Sequence, residues 1–164
     1  MAIVASDIKY RLSGGAANAD PILSLGGIKS SVDMAATIFD DVASADAAAG
    51  DIEYRCIYVH NAHATLTMLA PKIWIEANTP SASTTVAIGL GTSAVNATEQ
   101  TVANEKAAPS GVSFSEPIDF AGGIALSDIP AGQSRAVWIK RTVTAGATLA
   151  TDGFTLRTQC DTNP

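Results

Sequence analysis

Asp51-Ile52-Glu53-Tyr54-Arg55-Cys56-Ile57-Tyr58-Val59-His60-Asn61 is the stretch that sets the fold class. Ile52, Tyr54, Cys56 and Tyr58 recur at every second position, opposite Glu53 and Arg55, and a period of two marks a strand. Ile57 and Val59 fall on the second face with the charges, so the far end of the strand is expected to be buried on both sides.

Downstream, the same signal repeats between turns. Ala62-His63-Ala64-Thr65 links this strand to the run Leu66 to Ala77, which contains Lys72-Ile73-Trp74-Ile75-Glu76. Asn78-Thr79-Pro80-Ser81 is turn chemistry. From Thr84 to Thr92, Val86, Ile88 and Leu90 alternate with Thr85, Ala87, Gly89 and Gly91. Residues 93–110 are small and polar and read as a long loop, with Val112, Phe114 and Ile118 opening another strand. Ile124 to Ile129 leads into the turn Pro130-Ala131-Gly132-Gln133. Arg135 to Val143 and Asp152 to Thr158 then read as strands. Short alternating strands with a turn about every ten residues predict an antiparallel all-β fold, a β-sandwich of jelly-roll type.

Upstream, Thr37-Ile38-Phe39-Asp40 is a short apolar run with a strand signal, and Ala43 to Ala49 is expected to form a helical turn stopped by Gly50. The first 35 residues differ. Ile8 to Leu12 has the pattern of a short strand, but Ser13 to Pro21 and Leu23 to Ser31 are rich in Gly, Ser and Ala. This predicts an extended N-terminal arm over 1–35 attached to a sandwich domain over 36–164. An arm of this composition either frays in solution or is ordered by lying on a neighbouring subunit.

Composition narrows the function. The chain has 164 residues; 47% are hydrophobic but only 5% aromatic, much of the apolar fraction being alanine. Only 16% are charged, which gives a near-neutral surface suited to packing against neighbours. The net charge is −6 and the pI about 4.7. With Lys140-Arg141 and Arg135 as the densest basic cluster, nothing here neutralises a phosphate backbone, so no nucleic-acid partner is expected. No stretch approaches the roughly 20 apolar residues of a membrane span, and Met1 to Asp7 lacks the form of a signal peptide, so synthesis in a cytoplasm without export is expected.

The candidate chemistry is sparse. His60 and His63 lack the further ligands a zinc site needs and are expected as loop histidines. Asp40, Asp41, Asp46, Asp51 and Glu53 form an acidic run that departs from the calcium-loop pattern and reads as solvated acids. Gly89 and Gly91 sit inside a strand pattern, where glycine permits close backbone approach. There is no nucleophile elbow or phosphate loop, and Asn96-Ala97-Thr98 is a glycosylation acceptor that matters only after export. Trp74 and Trp138 lie among Ile and Val and are expected in the core; exposed, they would be stacking platforms for sugars. Cys56 and Cys160 are expected as free thiols, with an inter-strand disulfide left open. Neither an enzyme activity nor a cofactor or metal is expected.

Four segments carry a resemblance. They are Asp51 to Asn61; Ile129-Pro130-Ala131-Gly132-Gln133 followed by Ala136-Val137-Trp138-Ile139-Lys140-Arg141; Tyr10-Arg11-Leu12-Ser13-Gly14-Gly15; and Ser24-Leu25-Gly26-Gly27. Each resembles segments of small virion structural proteins of tailed bacteriophages and prophages. The resemblance implies a β-sandwich subunit with an N-terminal arm that decorates a capsid, often as a trimer, binding and stabilising the major capsid protein shell. Its localisation is then the virion, assembled in the bacterial cytoplasm. On this reading the arm residues Tyr10, Arg11, Leu12, Leu23, Leu25 and Ile28 contact the partner, together with sheet edges. A tail, neck or baseplate subunit, or a carbohydrate-binding β-sandwich module, is the alternative.

Overall fold

The computed structural model describes residues 2–148 and 152–162. Among them are nine strands: β1 (Ile8–Leu12), β2 (Gly26–Gly27), β3 (Asp51–Asn61), β4 (Met68–Ala77), β5 (Thr84–Leu90), β6 (Glu99–Thr101), β7 (Ile124–Ala125), β8 (Ser134–Val143) and β9 (Thr155–Thr162). One helix, α1 (Ser44–Ala49), ends at Gly50 with φ 81°. No helix among the described residues is long and apolar enough to cross a membrane.

The main sheet runs in the order β1-β3-β8-β5, and every neighbouring pair is antiparallel. A second antiparallel sheet has the order β7-β4-β9, and β2 and β6 form a two-stranded ribbon. The predominantly antiparallel β class read from the sequence is therefore present. One apolar cluster draws on both larger sheets. Ile57, Val59, Val86, Ile88, Val137 and Ile139 come from the main sheet and Met68, Ile73 and Ile75 from β4. Leu156 and Cys160 of β9 close its margin.

The opposite face of the main sheet is also covered. Cys56, Tyr58, Ala136 and Trp138 form a second buried cluster under Val102, Val112 and Phe114 of the loop between β5 and β7. β3 is buried on both faces from Arg55 to Val59, and on the face that Glu53 and Arg55 share with Ile57 and Val59, as the sequence pattern has it, Arg55 is itself fully buried. Gly89 and Gly91 let this cover come close. A Cβ at Gly89 would stand 2.7 Å from the Ser113 carbonyl oxygen, and one at Gly91 would overlap the Glu99 carboxylate.

The N-terminal segment does not stand off from the domain as the extended arm expected over 1–35. Ile8–Leu12 pairs with Ile57–Asn61 as a strand of the main sheet, and Leu12 is 1% exposed. The physical reason is the free edge of β3, whose backbone groups need partners. β1 supplies them for half the strand. Beyond it, the Cys56 N–H donates to the Ser24 carbonyl (2.7 Å) and the Tyr54 N–H to the Glu105 carbonyl (2.7 Å).

Two expected strands are absent. Residues 112–118 make one isolated bridge, Ile88 with Ser115, because Val112 and Phe114 turn inward as a lid and Pro117 has no N–H to donate. Residues 37–40 are irregular; Ile38 enters the core and Phe39 packs against it.

Candidate functional site

The loop from Ser13 to Ser30 is held by its own polar groups. The Ser13 N–H donates to Ser24 Oγ (2.8 Å), and Ser24 Oγ donates to the Cys56 carbonyl (2.9 Å). The Gly26 N–H donates to Ser13 Oγ (3.0 Å), and Ser30 Oγ donates to the Asn18 carbonyl (2.7 Å). Asn18 Nδ2 donates to the Ser13 carbonyl (2.6 Å), and Asp20 Oδ1 accepts from the Ile22 N–H (3.0 Å), capping a 3-10 turn over Pro21–Leu23. Ser13, Ser24 and Ser30 are fully buried. Gly26, at φ 95°, has no room for a side chain, since a Cβ there would overlap the Gln100 carbonyl.

This scaffold sorts the six residues singled out in the sequence. Leu23 and Ile28 are each 56% exposed, and their neighbour Ile22 is 47% exposed. Leu25 is half-buried, and its carbonyl accepts from the Val102 N–H (3.0 Å). Leu12 is a core residue. Tyr10 packs on the core margin with its hydroxyl 2.9 Å from Thr158 Oγ1, and burial pushes its phenol up to about 12. Arg11 pairs with Asp33 (3.1 Å) and donates to the Ser31 carbonyl, tying residues 31–33 to β1. The outward apolar surface of this loop is thus Ile22, Leu23 and Ile28, while Val4, Ile52, Ile118 and Phe120 are exposed elsewhere. Ile22 was missed in the sequence, although Pro21 before it marks a turn that leaves its side chain outside.

Asp40, Asp46, Asp51 and Glu53 of the acidic run form ion pairs rather than standing as the solvated acids expected, and Asp41 is exposed and belongs to none of them. Arg55 Nη2 lies 2.5 Å from Glu105 Oε2 and 3.3 Å from Asp40 Oδ1. Arg141 Nε donates to Glu53 Oε2 (2.6 Å), and its Nη1 donates to the Asp40 carbonyl (2.7 Å). The Phe39 ring lies against both guanidiniums, 5.4 Å from Arg55 and 4.7 Å from Arg141. Asp40, Glu53 and Glu105 hold oxygens within 4.8 Å of one another. A divalent cation would need those oxygens, but two guanidiniums already occupy them. Burial raises the Glu53 carboxyl, with Arg141 acting against it. Lys106 bridges Asp46 (3.0 Å) and Asp51 (3.1 Å), whose hydrogen bonds raise its ammonium. The cluster fastens residues 39–41, α1 and residues 104–106 to the end of β3.

Glu99 on β6 is another buried acid. Burial works against its charge, but hydrogen bonds from the N–H and hydroxyl groups of Ser93 and Thr92 prevail and hold it down at about 2. The Tyr58 hydroxyl donates to the Gly27 carbonyl (2.5 Å) and accepts from the Glu99 N–H (3.0 Å), pinning the β2–β6 ribbon to the main sheet.

The remaining candidates have structural duties. His63 Nδ1 accepts from the N–H groups of Thr65 (3.1 Å) and Leu66 (2.9 Å). His60 Nδ1 contacts the Gln133 carbonyl at 3.0 Å; burial lowers its pKa, and Lys29 adds to this. Trp138 is fully buried and Trp74 is 6% exposed, so neither offers a ring face to a sugar. Cys56 and Cys160 are free thiols on different faces: Cys56 in the loop-covered cluster and Cys160 at the inter-sheet core. Comparison of the chain with protein-family models, with curated proteins and with solved structures found no match.

Proposed function

We propose that this chain is a non-enzymatic assembly subunit, a β-sandwich in which the main and second sheets are the two layers. More particularly, we propose that it is a bacteriophage capsid decoration protein that binds the major capsid protein, stabilises the shell and acts as a trimer. The observation that carries this reading is the loop from Ser13 to Ser30. It presents Ile22, Leu23 and Ile28 to solvent on a backbone fixed by three buried serines. Apolar side chains held in one conformation bind with little further ordering cost, which suits a subunit that must grip a shell from a small surface. Low charge and the scarcity of chemistry-bearing clusters support the same reading.

Because β1 and Leu12 belong to the fold, truncating 1–35 would damage the domain, and the test must use point variants. The chain is co-expressed with the major capsid protein of its own genome, and the shells are sedimented. The wild-type chain should co-sediment, and a Leu23→Asp/Ile28→Asp variant should bind about tenfold more weakly or worse. A wild-type chain that stays in the supernatant would overturn the proposal.

A further inference from the structure

Among the described residues the outer edges of β1 and β5 are covered, and β9 has the longest uncovered edge. The outer edge of β1 is bonded by residues 32–34: the Leu12 N–H donates to the Val32 carbonyl (3.1 Å) and the Met34 N–H to the Tyr10 carbonyl (2.7 Å). The outer edge of β5 exchanges two hydrogen bonds between Ile88 and Ser115 (2.8 and 2.9 Å), and the Asn78 amide brackets Val86 (2.9 and 3.0 Å). β7 is two residues long. β9 is eight residues long and pairs on one side only, with β4. Among the described residues nothing bonds to the backbone of its other edge. It has no Pro, Gly or Lys from Thr155 to Thr162, and its only charges are the opposite pair Arg157 and Asp161.

Its exposed face carries a self-complementary code. Thr155, Arg157, Gln159 and Asp161 point outward, while Leu156, Thr158, Cys160 and Thr162 are half-buried. When two copies of β9 run antiparallel about a two-fold axis at Gln159, each Arg157 faces the partner's Asp161. Centring the axis on Arg157 or Asp161 would instead oppose like charges, and a parallel in-register pair would do so along its length. Cross-strand opposite charges stabilise and like charges destabilise, so the register centred on Gln159, which sets Arg157 against Asp161, is favoured. Arg157 already pairs with Glu76 through Nη1, and its second terminal nitrogen remains available for a carboxylate across the axis. An open cleft of about 460 Å³ runs beside this edge, with Ile3, Val4, Ile8, Leu156 and Cys160 as its apolar walls. A second copy would shield it.

We propose that β9 is a self-association edge, pairing antiparallel with β9 of a second copy about Gln159 to join two three-stranded sheets into one of six. The isologous geometry makes both halves of the contact equal. It is independent of shell binding through the Ser13–Ser30 loop.

The test is oxidative cross-linking of the full-length chain in a Cys160→Ser background at about 100 μM, near the weak-association range. Gln159→Cys should give a covalent dimer, and Thr155→Cys, far from the axis, should not. Asp161→Arg added to Gln159→Cys leaves the Arg157–Glu76 pair intact and should lower the dimer yield about tenfold. Adding Arg157→Glu as well, which swaps the charges, should restore it. Circular dichroism of each variant checks the fold. Absence of cross-linking at Gln159→Cys, equal yields from both cysteine positions, or insensitivity to Asp161→Arg would each overturn the proposal.

Discussion

The two faces of the main sheet are buried by different means. Towards the second sheet, Ile57, Val59, Val86, Ile88, Val137 and Ile139 meet other aliphatic side chains, and their stability comes from area removed from water. Towards the loops, the sheet offers Tyr54, Cys56, Tyr58 and Trp138, and the cover is held by hydrogen bonds to particular atoms and by glycines that leave room for it. The first face tolerates apolar side chains of similar volume; the second depends on single groups. A chain built this way keeps a generic core while displaying a fixed loop surface.

The comparison breaks most forcefully at its apolar side. Ile139→Ala removes a fully buried side chain and should cost about 4 kcal/mol in chemical denaturation, while Ile139→Val should cost about 1 kcal/mol. Arg55→Ala leaves Glu105 and Asp40 near Glu53 without their cation. It should cost about 3 kcal/mol in the same measurement, with Arg55→Lys recovering only part because an ammonium lacks the second nitrogen, Nη1, that donates to the Tyr54 carbonyl (3.1 Å).

On the loop side the effects are smaller but more selective. Tyr58→Phe strands the Gly27 carbonyl and the Glu99 N–H, and should cost about 2 kcal/mol. Amide exchange in residues 99–102 should speed up while β8 stays protected. Glu99 sharpens the contrast through pH. Its folded pKa of about 2 lies below the unfolded value of about 4.3, so its contribution is complete above the unfolded value and is lost as pH falls through the folded one. Stability should therefore drop by about 2 kcal/mol between roughly pH 4.5 and 2, and this step should be missing in Glu99→Gln, which is less stable at neutral pH.

What the sequence made legible follows the same division. The ends of β3 were readable to the residue, and β8 nearly so, because alternation begins after Gly50 and after the turn Pro130 to Gln133 and stops at the links Ala62 to Thr65 and Thr144 to Ala147. The close approach at Gly89 and the burial of Trp138 were also readable. The loop cover was not, since residues 93–110 are small and polar, residues 112–118 carry a strand signal, and their packing depends on Tyr58 and Cys56, distant in sequence. The same blindness affected Ser13 to Ser30. Its glycines and serines suggest a pliable arm, yet Ser13, Ser24 and Ser30 are buried hydrogen-bond hubs, which only the tertiary fold reveals. Arg55 was read as opposite an apolar face, and its salt bridges to Glu105 and Asp40 lie far off in the chain.

The central claim is that the loops are part of the folded core and so present Leu23 and Ile28 rigidly. Hydrogen exchange at single-residue resolution tests it most directly at three amides: Cys56, bonded to Ser24; Gly26, bonded to Ser13 Oγ; and Glu99, bonded to the Tyr58 hydroxyl. The account predicts that all three exchange only through global unfolding, as slowly as Ile57 and Ile139. Exchange of Gly26 and Glu99 at free-loop rates, with β3 and β8 still protected, would contradict it.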